Sequence, residues 1–239
     1  TVSDGDQPHF ILQRINQRVF RRPELIMINM RAFTEHVYTR LSNGALDLGR
    51  RWEVPRVRLT ADGATQWIDS EGGFWRAISF VDHSRAYPRV RDSAHAREAG
   101  YALGRFQSLI SDMDASTLHD TLEGFHITPR YLRRYHEVLE NPKAPSSSPE
   151  VRFAKAFIAE REGLASVLEC AKEEGKLRLR PIHGDPKVDN IMIDDATGQA
   201  ISIIDLDTVK PGLVHYDIGD CLRSCCNPLG EETDQLDQV

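Results

Sequence analysis

The chain lacks the marks of several large protein classes. Its 239 residues contain no run of about 18 apolar residues, the length a membrane-crossing helix needs. No charged-then-apolar leader opens it. A soluble, cytoplasmic protein with no membrane partner is therefore expected. Lys and Arg total 30 against 36 Asp and Glu, for a net charge of −6 and a pI near 5.8, and no sustained basic block occurs. The electrostatic footprint of a nucleic-acid binder is missing, so a small-molecule partner is expected instead. Cysteine is scarce: the four present are too few, and Cys221, Cys225 and Cys226 too clustered, for a disulfide framework. On an expected helix Cys221 and Cys225 share a face, but no fourth ligand stands at a recognisable spacing, and buried reduced thiols are the expected state. There is no G-x-G-x-x-G and no internal repeat.

What is present suffices for a sizeable core, with 40% hydrophobic and 28% charged residues. The first region reads as a small mixed sheet with one helix against it. "HFILQRIN" alternates like a strand, "PELIMINMRAFTEHVYTRL" has helical spacing with Pro23 near its start, and "TQWIDSEGGFWRAISFV" reads as two strands around Gly72 and Gly73. From Asp92 the pattern turns helical through "DSAHAREAGYALGRFQSLISDM", "TPRYLRRYHEVLE" and "PEVRFAKAFIAEREGLASVLECAKEEG". Between the last two, "NPKAPSSSPE" has the composition of a mobile loop.

The most informative stretch is "RPIHGDPKVDNIMIDDATGQAISIIDLDTVKPGL", residues 180 to 213. "NIMID" and "AISIID" are β-type runs joined by the turn-like "DATGQ". If they pair with Asp194 opposite Ile201, then Asn190 falls opposite Asp205, with α-carbons about 4.5 to 5.5 Å apart. A carboxamide and a carboxylate would converge at the open end of the hairpin. Such oxygen donors, with positions left for phosphate oxygens and water, suit Mg²⁺, and Asp207 could extend the site. Asp185, on the loop entering the hairpin, is placed to accept a proton from an attacking hydroxyl, and Lys187 adds a point charge within reach of the same phosphate. Metal, base and cation together describe phosphoryl transfer.

Those residues resemble a known family. "IHGDPKVDN" followed by "IIDLD" is similar to the catalytic and metal-binding loops of the aminoglycoside phosphotransferase and choline kinase superfamily, and His183, Asp185 and Asn190 meet the general kinase form. "DLDTVKPGLVHYDIGDCLR", "FILQRIN", "TEHV", "FWR" and "LHDTLEGFHITPR" resemble more specifically its N-acetylhexosamine kinase branch. The resemblance implies an α+β, protein-kinase-like two-lobed fold: a nucleotide-binding N-lobe at 1–84, with a small mixed sheet plus helix, and a mainly helical C-lobe at 85–239 with a catalytic β-hairpin. It implies Asp185 as catalytic base, Asn190 and Asp205 as Mg²⁺ ligands, ATP as co-substrate, and "ISFVDHS" near the hinge that holds adenine. The strand that usually carries a phosphate-binding Lys reads "LQRIN", so Arg14 or Gln13 stands in, with Glu35 as the partner on the following helix. Only "TVSDGDQP" precedes the first clear strand, and few residues follow Asp207. The chain is therefore expected to be a fragment or to lack segments at its ends.

The residues around this set have plainer expected roles. His183 reads as a buried, hydrogen-bonded imidazole that orients the loop. Asp217 and Asp220 read as structural, one capping the helix that carries Cys221, with Arg223 pairing locally. Trp75 and Phe80 read as core rather than as a platform for adenine. The expected activity is transfer of the ATP γ-phosphoryl group to a hydroxyl of a small molecule such as an amino sugar. The alternatives are an aminoglycoside or choline-type acceptor, or a nucleotide-binding protein without turnover.

Overall fold

A computed structural model describes residues 9–44, 49–140, 148–230 and 233. The segment "TVSDGDQP" and residues 141–147 of the Pro/Ser-rich loop lie outside the described residues. In chain order the elements are β1 (Phe10–Arg14), α1 (Pro23–Ser42), β2 (Val57–Arg58), β3 (Trp67–Ile68), β4 (Phe74–Ser79), β5 (Ser84–Arg85) and α2 (Ser93–Leu109). There follow α3 (Thr128–Leu139), α4 (Pro149–Arg161), α5 (Val167–Glu173), β6 (Arg180–Ile182), β7 (Ile191–Asp194), β8 (Ala200–Ile203), β9 (Lys210–Gly212) and α6 (Val214–Cys225). The mixture of small antiparallel sheets and helices is the expected α+β class. The described residues form two compact units, one within 1–122 and 179–239, the other within 123–178.

The first unit is built on amphipathic patterning. In α1 the residues Ile26, Met27, Met30, Phe33, Thr34 and Val37 recur at helical spacing and are all buried, and Pro23 opens the helix where its missing N–H costs nothing. The helix stops at Asn43, and Gly44 follows with φ +71°, a left-handed exit that glycine takes without a Cβ penalty. Strands β1, β4 and β2 pair antiparallel in that order, with β3 also on β4. Along β4 burial alternates, so Phe74, Arg76 and Ile78 point inward while Trp75 and Ala77 do not. The register sets Gln13 opposite Arg76 and Arg14 opposite Trp75.

Helix α2 starts at Asp92, whose carboxylate accepts from the His95 amide at 2.8 Å. Its Ala99, Ala102, Phe106 and Leu109 join Met30, Phe33 and Val37 of α1 in one apolar core. The same core receives Ile191 and Ile193 from β7 and Ala200 and Ile203 from β8. Met192 and Ile201 point the other way, against Val81. The β7–β8 hairpin is thus apolar on both faces, which is why its sequence reads as continuous hydrophobic runs.

The hairpin register differs from the expected one. Ile191 lies opposite Ile203 and Ile193 opposite Ala200, with a bulge between Met192 and Ile193. Asn190 therefore stands across from Ile204, whose amide it accepts at 2.8 Å, one residue short of Asp205. The cause is the turn. The Asp194 carboxylate accepts from the amides of Ala196 (3.1 Å) and Thr197 (2.8 Å), a local closure that sequence alternation alone does not set.

In the second unit the run read as one helix, "PEVRFAKAFIAEREGLASVLECAKEEG", is divided into α4 and α5 by a 3₁₀ turn at Glu162–Leu164. Gly163 sits in that turn, where its backbone freedom disfavours a continuous α-helix. The Ser148 hydroxyl caps α4 by accepting from the Val151 amide at 3.3 Å. None of the side chains of α3, α4 or α5 is fully buried.

Phe33 is 2% exposed and stacks on Phe106 with ring centroids 5.2 Å apart. Phe33→Ala is expected to lower stability by about 3–5 kcal/mol through lost contact and a residual cavity. Denaturant unfolding measures it, and a change below about 1 kcal/mol would place this ring outside the core.

Candidate active site

Strand β6 delivers the chain to His183, and its antiparallel partner β9 begins just after Thr208. The loop at 183–190 and the loop at 204–209 are therefore held side by side. Gly184 makes the close approach possible. Its φ is +86°, and a Cβ there would lie 2.6 Å from the Thr208 carbonyl oxygen. The Thr208 hydroxyl donates to the His183 carbonyl at 2.9 Å.

Two buried polar side chains fix this junction. Asp217 of α6 is fully buried, and its carboxylate accepts from the His183 amide (2.9 Å), the Gly184 amide (2.8 Å) and the Gln107 side-chain amide (2.8 Å). Burial nonetheless pushes its pKa up to about 6. Neither Asp217 nor Asp220 provides the expected helix cap: α6 spans Val214–Cys225, and Leu213 before it makes no side-chain cap. Asp217 instead reaches across to the loop at 183–190. His183 is also fully buried, and burial lowers its pKa to about 4. Its Nδ1 accepts from the Asp185 amide at 3.2 Å, so Nε2 carries the proton and donates to the Ile204 carbonyl at 2.9 Å. One neutral imidazole thus ties the two loops together, the orienting role expected of it.

The sequence-derived residues gather around this frame. The Asn190 side-chain amide donates to the Asp185 carbonyl (2.8 Å) and carboxylate (3.2 Å). The Ser224 hydroxyl of α6 accepts from the Val188 amide at 3.0 Å and so fixes the turn between them. Burial raises the pKa of Asp185, and the nearby Lys187 ammonium opposes that rise. Lys187 Nζ lies 3.9 Å from Asp185 Oδ2 and 3.4 Å from Asp189 Oδ2. Asp205 sits in the left-handed region at φ 61°, ψ 60°, a strained conformation for a residue with a Cβ. Its pKa is pushed up to about 6 by burial, then by the charges of Asp207 and Asp185.

Asn190 and Asp205 line one cavity of about 200 Å³. Its apolar wall includes Ile11, Ile78, Phe80, Val81, Met192 and Ile204, and its polar side adds Gln13 and Arg76. Phe80 is therefore a wall of this cavity, whereas Trp75 lies on the other side of the sheet, its indole N–H donating to Asp69 at 2.7 Å. The donor set fits a hard divalent cation. It offers amide and carboxylate oxygens in a place where burial, and then neighbouring negative charge, already disfavours an ionised Asp205. Among the described residues no three His, Cys, Asp or Glu side chains form a cation cage. A two-ligand site completed by phosphate oxygens and water requires none.

Other expected partners are not brought together. Arg14 lies over the Trp75 ring, 5.9 Å from its centroid, on the outward side of the sheet. Glu35 pairs with Arg56 at 2.7 Å rather than with Arg14. Asp207 pairs with Arg76 at 2.5 Å, and Asp220 pairs locally with Arg223 at 2.7 Å as expected. Arg76 escaped the sequence reading, although the alternation of "FWRAIS" aligns it with Phe74 and Ile78 and so marks a cation on an inward face. All four cysteines are free thiols. Cys221 is buried, Cys225 half-buried and Cys226 exposed, because only one stripe of α6 faces inward, and Cys170 on α5 is exposed.

His183 and Asp217 pull the pH dependence in opposite directions. A depressed histidine pKa means the fold holds the neutral form. His183 contributes fully above its ordinary value of 6.5, and that contribution is lost as pH falls toward 4. A raised carboxylate pKa does the reverse: Asp217 contributes fully below its ordinary 3.8 and loses that as pH rises through about 6. Relative to His183→Gln, the wild type is expected to lose thermal stability as pH is lowered from neutral toward 5. Parallel melting-temperature profiles for the two proteins would contradict a neutral, buried His183.

The pattern of the phosphotransferase enzyme family (APH) matches residues 2–236. Solved structures share the fold at low identity. Amicoumacin kinase hAmiN, solved with AMP-PNP, Ca²⁺ and Ami, aligns with a TM-score of 0.56 at 14% identity over 93% of this chain and 59% of its own. An aminoglycoside phosphotransferase from Alicyclobacillus acidocaldarius aligns at 0.59, with 14% identity over 92% and 63%. A microcompartment-associated aminopropanol kinase aligns at 0.56, with 17% identity over 92% and 63%. The chain thus spans about three fifths of the length of these proteins. Among the described residues no helix is long and apolar enough to cross a membrane.

Proposed function

The chain belongs to the phosphotransferase enzyme family, and on that premise we propose that it transfers the γ-phosphoryl group of ATP to a hydroxyl of a small molecule of the N-acetylhexosamine class. The observation that carries the reading is the convergence of Asp185, Asn190 and Asp205. Asn190 donates to Asp185, and Asn190 and Asp205 line the same cavity. The acceptor class rests on the run from Asp205 to Arg223, "DLDTVKPGLVHYDIGDCLR", and its resemblance to the N-acetylhexosamine kinase branch. In this reading residues 1–84 form the nucleotide lobe and 85–239 carry the catalytic and metal-binding loops, in a cytoplasmic protein.

Adenine enters the apolar end of the cavity, between Ile78, Phe80 and Val81 on one side and Met192 and Ile204 on the other. Its phosphates then extend toward Asn190 and Asp205. These two residues would hold Mg²⁺, which supplies charge neutralisation of the transferred phosphoryl group. Asp185 takes the proton of the acceptor hydroxyl as that oxygen attacks the γ-phosphorus and the bond to the β-phosphate breaks, releasing ADP, and its half-buried setting favours proton uptake. Lys187 is shared between the Asp185 and Asp189 carboxylates, offsetting their mutual repulsion, and would supply a point charge to a phosphate oxygen.

The test uses Asp185→Asn and Asp205→Ala with N-acetylhexosamines, aminoglycosides and choline as acceptors. Asp185→Asn is expected to bind Mg-ATP normally but transfer phosphate about 10²–10⁴-fold more slowly, the usual worth of a general base. Asp205→Ala is expected to lose both Mg²⁺-dependent nucleotide binding and transfer. An unchanged rate in Asp185→Asn on the best acceptor removes its assignment as base. A wild type that binds nucleotide and phosphorylates none of the acceptors refutes the kinase reading.

A further inference from the structure

Arg76 is 3% exposed on the inward, otherwise apolar face of β4. A buried guanidinium is costly unless its donors are engaged. Here Nε donates to the Gln13 side-chain oxygen at 3.0 Å, Nη2 pairs with Asp207 Oδ1 at 2.5 Å, and Nη1 lies 3.9 Å from Met30 Sδ. The same side chain lines the cavity that holds Asn190 and Asp205. On the neighbouring strand the inward position is the neutral Gln13, while Arg14 points outward onto Trp75.

From this placement we propose that Arg76 is the positioning residue of the nucleotide site: it anchors the Asp205–Asp207 loop through Asp207 and presents the sheet's inward cation to the nucleotide phosphates. The inference rests on the phosphotransferase reading and deepens it. It divides the labour of the two carboxylates, with Asp207 held by the guanidinium and Asp205 left with Asn190 for the cation.

The loop needs such an anchor. Asp205 is held at a left-handed φ, and that strain persists only where the surroundings fix the chain on both sides. After it, Leu206 is 1% exposed, the Asp207 carbonyl accepts from the Thr121 hydroxyl at 2.9 Å, and the Thr208 hydroxyl donates to His183. Among the described residues Arg76 is the side chain of the β1–β4 pair that forms an ion pair with this loop. A fork-shaped guanidinium can satisfy Gln13 and Asp207 together, which a lysine ammonium reproduces only in charge.

The experiment measures binding of Mn²⁺ with a non-hydrolysable ATP analogue, by Mn²⁺ electron paramagnetic resonance, alongside ATP kinetics and thermal unfolding. The proteins are wild type, Arg76→Lys, Arg76→Met, Asp207→Asn and the double variant Arg76→Met with Asp207→Asn. Loss of this buried ion pair predicts roughly ten- to hundredfold weaker Mn-nucleotide binding in Arg76→Met and Asp207→Asn. The effect should be strongly non-additive in the double variant, with partial recovery in Arg76→Lys. If Arg76→Met does not fold, Asp207→Asn carries the same test from the other partner. Folded single variants that bind Mn-nucleotide like the wild type, while Asp205→Ala does not, overturn this proposal and leave the kinase reading standing. Additive losses overturn it equally. A wild type that binds no nucleotide refutes the underlying reading instead.

Discussion

The carboxylate of Asp217 is the contact on which the site depends. It takes two successive backbone amides, those of His183 and Gly184, at the point where the chain leaves β6. Without that acceptor two buried N–H groups would be orphaned, at a cost comparable to the whole value of a hydrogen bond each. With it, Gly184 can press against the Thr208 carbonyl, and His183 can reach the Ile204 carbonyl. Helix α6 is therefore the frame of the reactive loops rather than a neighbour of them. Ser224, two turns further on, repeats the arrangement at Val188.

Much of this organisation was legible in the sequence because it follows short-range rules. The strand at Phe10–Arg14, the Pro-initiated α1, the paired strands at 67–68 and 74–79, and the hairpin at 191–203 follow from periodicity and turn composition. So does the gathering of Asp185, Asn190 and Asp205, since all three flank one hairpin. The exact register was not legible. A polar turn closed by Asp194 and a bulge at Met192 shift the pairing by one residue, and alternation is silent in strands buried on both faces.

Long-range polar pairing was the other blind spot. Arg76 and Asp207 are separated by more than half the chain, and neither residue type announces its partner. A helix cap from Asp217 or Asp220 was the natural expectation because neighbours along the helix are all that a sequence displays, whereas the partners of Asp217 lie at residues 107, 183 and 184. Glu35 illustrates the converse: its helix and strand were correctly placed, but Arg56 offered a nearer charge.

The hairpin β7–β8 has a further consequence for how the molecule breathes. One face packs with α1 and α2, the other with Val81, and its strands leave almost nothing to solvent. An element covered on both sides opens only when both coverings yield, so its paired amides are expected to exchange slowly. The residues at its open end, Asn190 and Asp205, are mounted on an element covered on both faces. Motions that admit a ligand must then come from the segments around the hairpin, with the hairpin as their stationary reference.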